Sequence, residues 1–108
     1  MNGERVVVYL DASDKWRWRW YRGSDIVADS SQGYVEKRDC ILGLTSHSRT
    51  TYQLTYESRN TPNKRAYQQG RLIFGDKTEI LVEVVPWTAS DVQWKEQPDV
   101  PDIGDRLP

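Results

Sequence analysis

Hydrophobic and polar positions change their period along this chain, and each change marks an element. Residues 5–10, "RVVVYL", form an apolar, β-branched run and predict a strand. "DASD" at 11–14 reads as a turn, because Asp and Ser side chains hydrogen-bond their own backbone and favour tight reversals. Residues 15–22, "KWRWRWYR", then alternate strictly with a period of two. "GSD" at 23–25 is the next turn and "IVADS" at 26–30 a third short strand, so the chain opens as a three-strand meander.

Beyond Gly33 and Tyr34 the period lengthens. In "VEKRDCILGLTSHSR", residues Tyr34, Ile41 and Leu44 fall near one helical face, which predicts a helix over 35–46. Gly43 inside it costs about 1 kcal/mol relative to alanine. It therefore marks an early helix end or permits close approach to the sheet. Alternation returns in "TYQLTYES", 51–58, where Tyr52, Leu54 and Tyr56 are expected on one side as core or dimer contacts. Residues 59–70 read as a polar loop. "RLIF" at 71–74, "GDKT", and "EILVEVVPW" at 79–87 read as a hairpin. "TASD" at 88–91 predicts a short helical turn, with Trp87 and Trp94 anchoring the segment around it. Residues 96–108, rich in Pro and Asp and without periodicity, predict an extended or disordered tail. The segments "RVVVYLDASDKWRWRWY" and "RLIFGDKTEILVEVVPW" share a loose plan, but the second lacks a following Gly-Tyr and helix, so no duplication is expected.

The fold class expected from this order is α+β: a small antiparallel β-sheet with one helix packed on one face, a β-β-β-α unit, plus additional C-terminal β-strands. Residues 1–95 are expected to form one domain, with 50–95 as an extra hairpin region.

The tryptophan strand sharpens that picture. On a strand, Trp16, Trp18 and Trp20 share one face, while Lys15, Arg17, Arg19 and Tyr21 share the other. Each aromatic ring offers roughly 150–250 Å² to bury. Three of them together rival or exceed the ~300–600 Å² of the largest apolar patch on an ordinary monomer. They are therefore expected under the helix or a partner subunit, together with Tyr34, Ile41 and Leu44. The opposite face leaves Lys15, Arg17, Arg19, Tyr21 and Arg22 as a basic ribbon, either a binding surface or a solvated sheet face. The basic cluster at 63–67, "NKRAY", is expected to be a solvated loop.

Charge narrows the function classes. Fifteen basic and sixteen acidic residues give a net charge of −1, so no global field drives the chain onto nucleic acid. No apolar run approaches the ~20 residues of a membrane span, and the first ten residues lack the pattern of a secretion signal. A cytoplasmic protein without membrane attachment is expected.

One cysteine, Cys40, excludes an internal disulfide, and with His47 as the one histidine no zinc site can be built from Cys and His alone. Asp39 and Cys40 are adjacent, about 100° apart on a helix, and His47 lies two turns from Cys40. No glycine-rich phosphate loop, paired-histidine metal motif or serine elbow is present. No catalytic residue, metal or cofactor is expected.

The stretch "VVVYLDASDKWRWRWYRGSDIVADSSQGYVEKRDCILGL" resembles the YegP-like family of small bacterial and archaeal proteins. The resemblance rests on a first strand ending at Tyr9 and the Asp-containing turn before Trp16-Arg17-Trp18-Arg19. It continues through "IVADS" and Gly33-Tyr34 with Lys37 before a helix ending near Gly43-Leu44. It covers about residues 5–46 and implies a β-β-β-α unit, paired in tandem or between subunits, of bacterial or phage type, with no established activity. Val35 stands where the family usually has a small polar residue, and residues 50–108 do not match a second unit.

The function expected is a small non-enzymatic protein-binding or adaptor module working as a symmetric homodimer. Its protein partner would be recognised by the basic ribbon, an open strand edge or the tail. The alternative is nucleic-acid binding on the basic strand face, with Tyr21 stacking on a base.

Overall fold

The computed structural model describes residues 3–61 and 63–88. Along the chain run β1 (Glu4–Leu10), β2 (Trp16–Arg22), β3 (Asp25–Asp29), α1 (Lys37–Ser48), β4 (Thr51–Ser58), β5 (Tyr67–Ile73) and β6 (Glu79–Val85). The six strands form a single sheet in the order β3-β2-β1-β6-β5-β4. Each half is an antiparallel meander, and the halves meet through the parallel pair β1 and β6, with Val6 opposite Val82 and Val8 opposite Val84.

This corrects the expected fold class. The sheet is mixed, not antiparallel, and the C-terminal strands are half of it, not an addition to a β-β-β-α unit. The reason is burial. Val6, Val7 and Val8 are all within 1 % of fully buried, so β1 needs cover on both faces and a neighbour on both edges. Such continuous apolar runs belong to central, parallel-type strands. β6, with Val82, Val84 and Val85 equally buried, is the complementary strand.

α1 joins β3 to β4, the two outer strands, and so crosses one face of the sheet. Its Cys40 and Leu44 are fully buried against Val6, Val8, Trp18, Trp20, Leu72, Ile80, Val82 and Val84, with Trp16, Tyr34, Ile41 and Tyr52 packed at the margin. The tryptophan face thus lies under the helix. Gly43 allows that approach: a Cβ there would lie 3.0 Å from the Tyr34 ring. The helix begins at Lys37 after Glu36, which is extended and gives no side-chain cap, and it ends at Arg49 in the left-handed conformation.

The second face carries a smaller cluster of Val7, Tyr9, Tyr67, Val85 and Trp87. The loop before β5 closes against this end of the sheet. Within the loop, buried Thr61 donates its hydroxyl to the Arg65 carbonyl at 2.7 Å, and Asn63 donates its amide to the Pro86 carbonyl at 2.8 Å.

Two further expectations are revised. The polar loop was expected to reach residue 70, but β5 starts at Tyr67, because Gln68 and Gln69 pair with Val84 and Glu83 while fully buried Tyr67 supplies the apolar anchor. Tyr52, Leu54 and Tyr56 do not share a side. The β4–β5 register shifts between Leu54 and Tyr56, one extra residue on β4, and this turns Tyr56 to the second face, where its ring meets that of Tyr67 at 6.4 Å. The expected turn at 88–91 beyond Thr88, Trp94 and the tail at 96–108 lie outside the described residues.

Candidate functional site

Strand register lays out the second sheet face as rows. One row crosses all six strands as Ile26, Tyr21, Arg5, Leu81, Arg71 and Gln53. The next runs Asp29, Arg19, Val7, Glu83, Gln69 and Tyr56. In the second row Glu83 is 4 % exposed and accepts the Tyr67 hydroxyl at 2.8 Å, while Gln69 donates to that same hydroxyl oxygen at 3.0 Å. The buried Glu83 side chain is thereby tied into the sheet through Tyr67, as burial of a polar group requires.

The basic ribbon sits beside these rows and is largely engaged within the protein. Arg17 donates from Nε to the Asp11 carboxylate at 2.6 Å. That hydrogen bond holds the Asp11 carboxyl below its ordinary pKa and raises the guanidinium's. The Arg19 guanidinium lies over the Tyr9 ring at 5.4 Å, and Arg5, which sequence reasoning missed, lies over Tyr21 at 4.2 Å. Burial, more than either neighbouring arginine, determines the Tyr9 hydroxyl's raised pKa. Lys15 precedes β2 and is exposed in the turn, where its backbone N–H donates to Asp11 at 3.0 Å. Arg22 belongs to the other side: two residues beyond Trp20, it lies on the tryptophan face and contacts Glu4 at 3.4 Å. The ribbon expected from alternation therefore loses Arg22 and gains Arg5.

The sheet's two edges differ. β3 is five residues long, has Asp25 and Asp29 at its ends, and carries a register irregularity against β2. Short length, charge and a bulge are the usual devices that blunt an edge. β4 is eight residues long, contains no lysine or proline, and carries Glu57 as its one charge. Its side chains are mostly exposed, with Leu54 at 47 % and Tyr56 at 43 %. The bulge places Leu54 on the helix side and Tyr56 on the second face. A strand laid along β4 would therefore meet one apolar side chain above the plane and one below it. Alternate residues of such an edge turn their N–H and C=O groups outward.

Of the residues weighed for chemistry, Cys40 is fully buried, and that burial pushes its thiol up to about 12. His47 lies in the last turn of α1, with its ring 5.2 Å from that of Trp18. Among the described residues no cluster of His, Cys, Asp and Glu is arranged to hold a metal ion, and no helix is long and apolar enough to cross a membrane.

Comparison adds no relative: no family model matches the chain, and searches of curated proteins and of solved structures find no match.

Proposed function

We propose that this chain is a non-enzymatic, cytoplasmic protein-binding or adaptor module, working as a homodimer, and that its partner strand adds to the outer edge of β4. The observation carrying this reading is the contrast between the edges: β3 is short and flanked by aspartates, whereas β4 is long, nearly uncharged, and apolar on both sides of its plane. In strand addition, main-chain hydrogen bonds supply affinity and flanking side chains supply selection. Leu54 and Tyr56 are the selecting side chains. The basic ribbon supports a partner less well, because Arg17 and Arg19 are already engaged by Asp11 and Tyr9. The YegP-like resemblance of residues 5–46 brings no activity of its own.

Sedimentation of the wild type beside Leu54→Lys/Tyr56→Lys tests the proposal. The expected result is self-association that the double substitution removes while the far-ultraviolet circular dichroism of the fold is kept. A wild type that stays monomeric at every concentration, or association that the double variant retains, overturns it.

A further inference from the structure

Among the described residues no helix covers the sheet face opposite α1, and the charges on that face are unevenly matched. Its acids are engaged. Glu83 accepts the Tyr67 hydroxyl, Glu79 accepts Arg71 at 3.0 Å, Asp29 accepts the Ser31 backbone N–H at 2.9 Å, and Asp11 at the turn holds Arg17. Arg5 and Arg19 make no ion pair among the described residues. Each lies over a tyrosine ring, which leaves the rim of a guanidinium free to grip a carboxylate. Arg5 Nη1 is also shielded from solvent without a hydrogen-bond acceptor among the described residues, and a buried donor calls for one. Ile26 and Leu81, in the same row as Arg5, are 50 % and 46 % exposed.

The chain leaves β6 on this face. Trp87, 2 % exposed, stacks on Tyr67 at 6.0 Å and packs with Val7, Tyr9 and Val85. Twenty residues follow Thr88. They carry five acidic and two basic side chains, whereas residues 1–88 carry eleven acidic and thirteen basic. The acids are interleaved with apolar residues, Trp94, Val100 and Ile103 among them. Reach is ample: Leu81 lies four residues back from Val85, about 13 Å at ~3.3 Å per residue, and twenty residues span up to about 66 Å.

We infer that the acidic segment 89–108 docks in cis on this face, with its carboxylates on Arg5 and Arg19 and its apolar side chains on Leu81 and Ile26. Charge complementarity, the exit of the chain at Trp87 and the open apolar row all favour this occupant over a foreign one. The face is separate from the outer edge of β4, so this inference and the strand-addition reading fail independently.

Paramagnetic relaxation in the full-length protein tests it. Cys40 is fully buried, so in Gln97→Cys a nitroxide attaches at residue 97 alone. The expected result is loss of the amide signals of Arg5, Val7 and Leu81, while those of Lys37–Ser48, on the opposite side of the sheet, persist. Neutralising the segment with Glu96→Gln, Asp99→Asn, Asp102→Asn and Asp105→Asn should restore the lost signals, since the charge-assisted contacts are removed. A mixture of isotope-labelled protein without nitroxide and unlabelled protein with it should show no loss. Signals at Arg5 and Leu81 that stay intact, equal loss on α1, loss that survives neutralisation, or loss that appears between molecules in the mixture overturns the inference.

Discussion

Asp11 and Arg17 are joined across the β1–β2 turn. One carboxylate oxygen takes the guanidinium Nε–H at 2.6 Å, while the other accepts the backbone N–H groups of Ser13 and Lys15 at 2.8 and 3.0 Å. The same carboxylate thus closes the turn and ties down the start of the tryptophan strand. Arg17 is for this reason a structural arginine as much as a surface one. Arg17→Glu would set two carboxylates against each other and is expected to lower stability by about 1 kcal/mol, the scale of an exposed pair. Denaturant titration measures this, and an unchanged midpoint would show that the pair carries no weight in solution.

The pH dependence follows from the same group. Asp11 has its folded pKa lowered, first by the Arg17 hydrogen bond, and Asp76 is lowered by its hydrogen bonds from Thr78 in the β5–β6 turn. A carboxyl depressed on folding contributes stability that is fully present above its unfolded value of about 3.9 and is lost as pH falls through the folded value. Stability should therefore hold from neutrality down to about pH 4 and decline below it. In Asp11→Asn that acid decline should be shallower. Urea midpoints across the acid range check it, and identical slopes in the two proteins would remove Asp11 from the account.

Trp20 and Glu4 offer a second test. The indole N–H donates to the carboxylate at 2.7 Å in a partly buried setting. Glu4→Leu leaves that N–H without its acceptor and is expected to cost about 1–3 kcal/mol, whereas Glu4→Gln keeps an acceptor and should cost less. The Trp20 indole proton resonance should move upfield in Glu4→Leu. Equal stability of the two variants would mean that the hydrogen bond does not fix the Trp20 ring.

What was legible in the sequence was whatever is written locally. The strand periods of "RVVVYL", "KWRWRWYR" and "TYQLTYES" and the helical placement of Ile41 and Leu44 correspond to β1, β2, β4 and α1. What was not legible depends on pairings between distant residues. Nothing near Val6 announces that Val82 lies beside it in parallel. One extra residue near Thr55 reverses Tyr56, and no residue type marks it. The engagement of the ribbon needed register as well: Arg17 lies opposite Tyr9, next to Asp11 at the turn, only once β1 and β2 are aligned.

Gly70 gives a prediction on packing between strands. It sits in β5 opposite Leu54, and a Cβ there would come within 2.6 Å of the Gln53 carbonyl oxygen and 2.5 Å of the Tyr52 ring. A carbonyl in a paired strand cannot swing aside as a side-chain tip can. Gly70→Ala is therefore expected to destabilise by about 1–3 kcal/mol, the range for overpacking a core, and to loosen β4 from β5. Amide exchange across Thr51–Ser58 should quicken more than across β1. A variant as stable as the wild type would show that Tyr52 and β4 yield at little cost.

Cys40 supplies the last test. It lies on the sheet-facing side of α1, fully buried among Trp18, Trp20 and Leu44, and burial raises its thiol to about 12. The thiolate is the reactive form, so at mildly alkaline pH almost none is present, and a reagent has no path to it while the helix is docked. Labelling by a disulfide reagent is expected only through opening of the structure, at a rate that rises with urea in step with unfolding. Cys40→Ser should lower stability by about 1–3 kcal/mol, because a hydroxyl replaces a thiol in an apolar site. Rapid stoichiometric labelling of the native protein would instead mean that α1 lifts readily from the sheet, and the burial of the tryptophan face would have to be reconsidered with it.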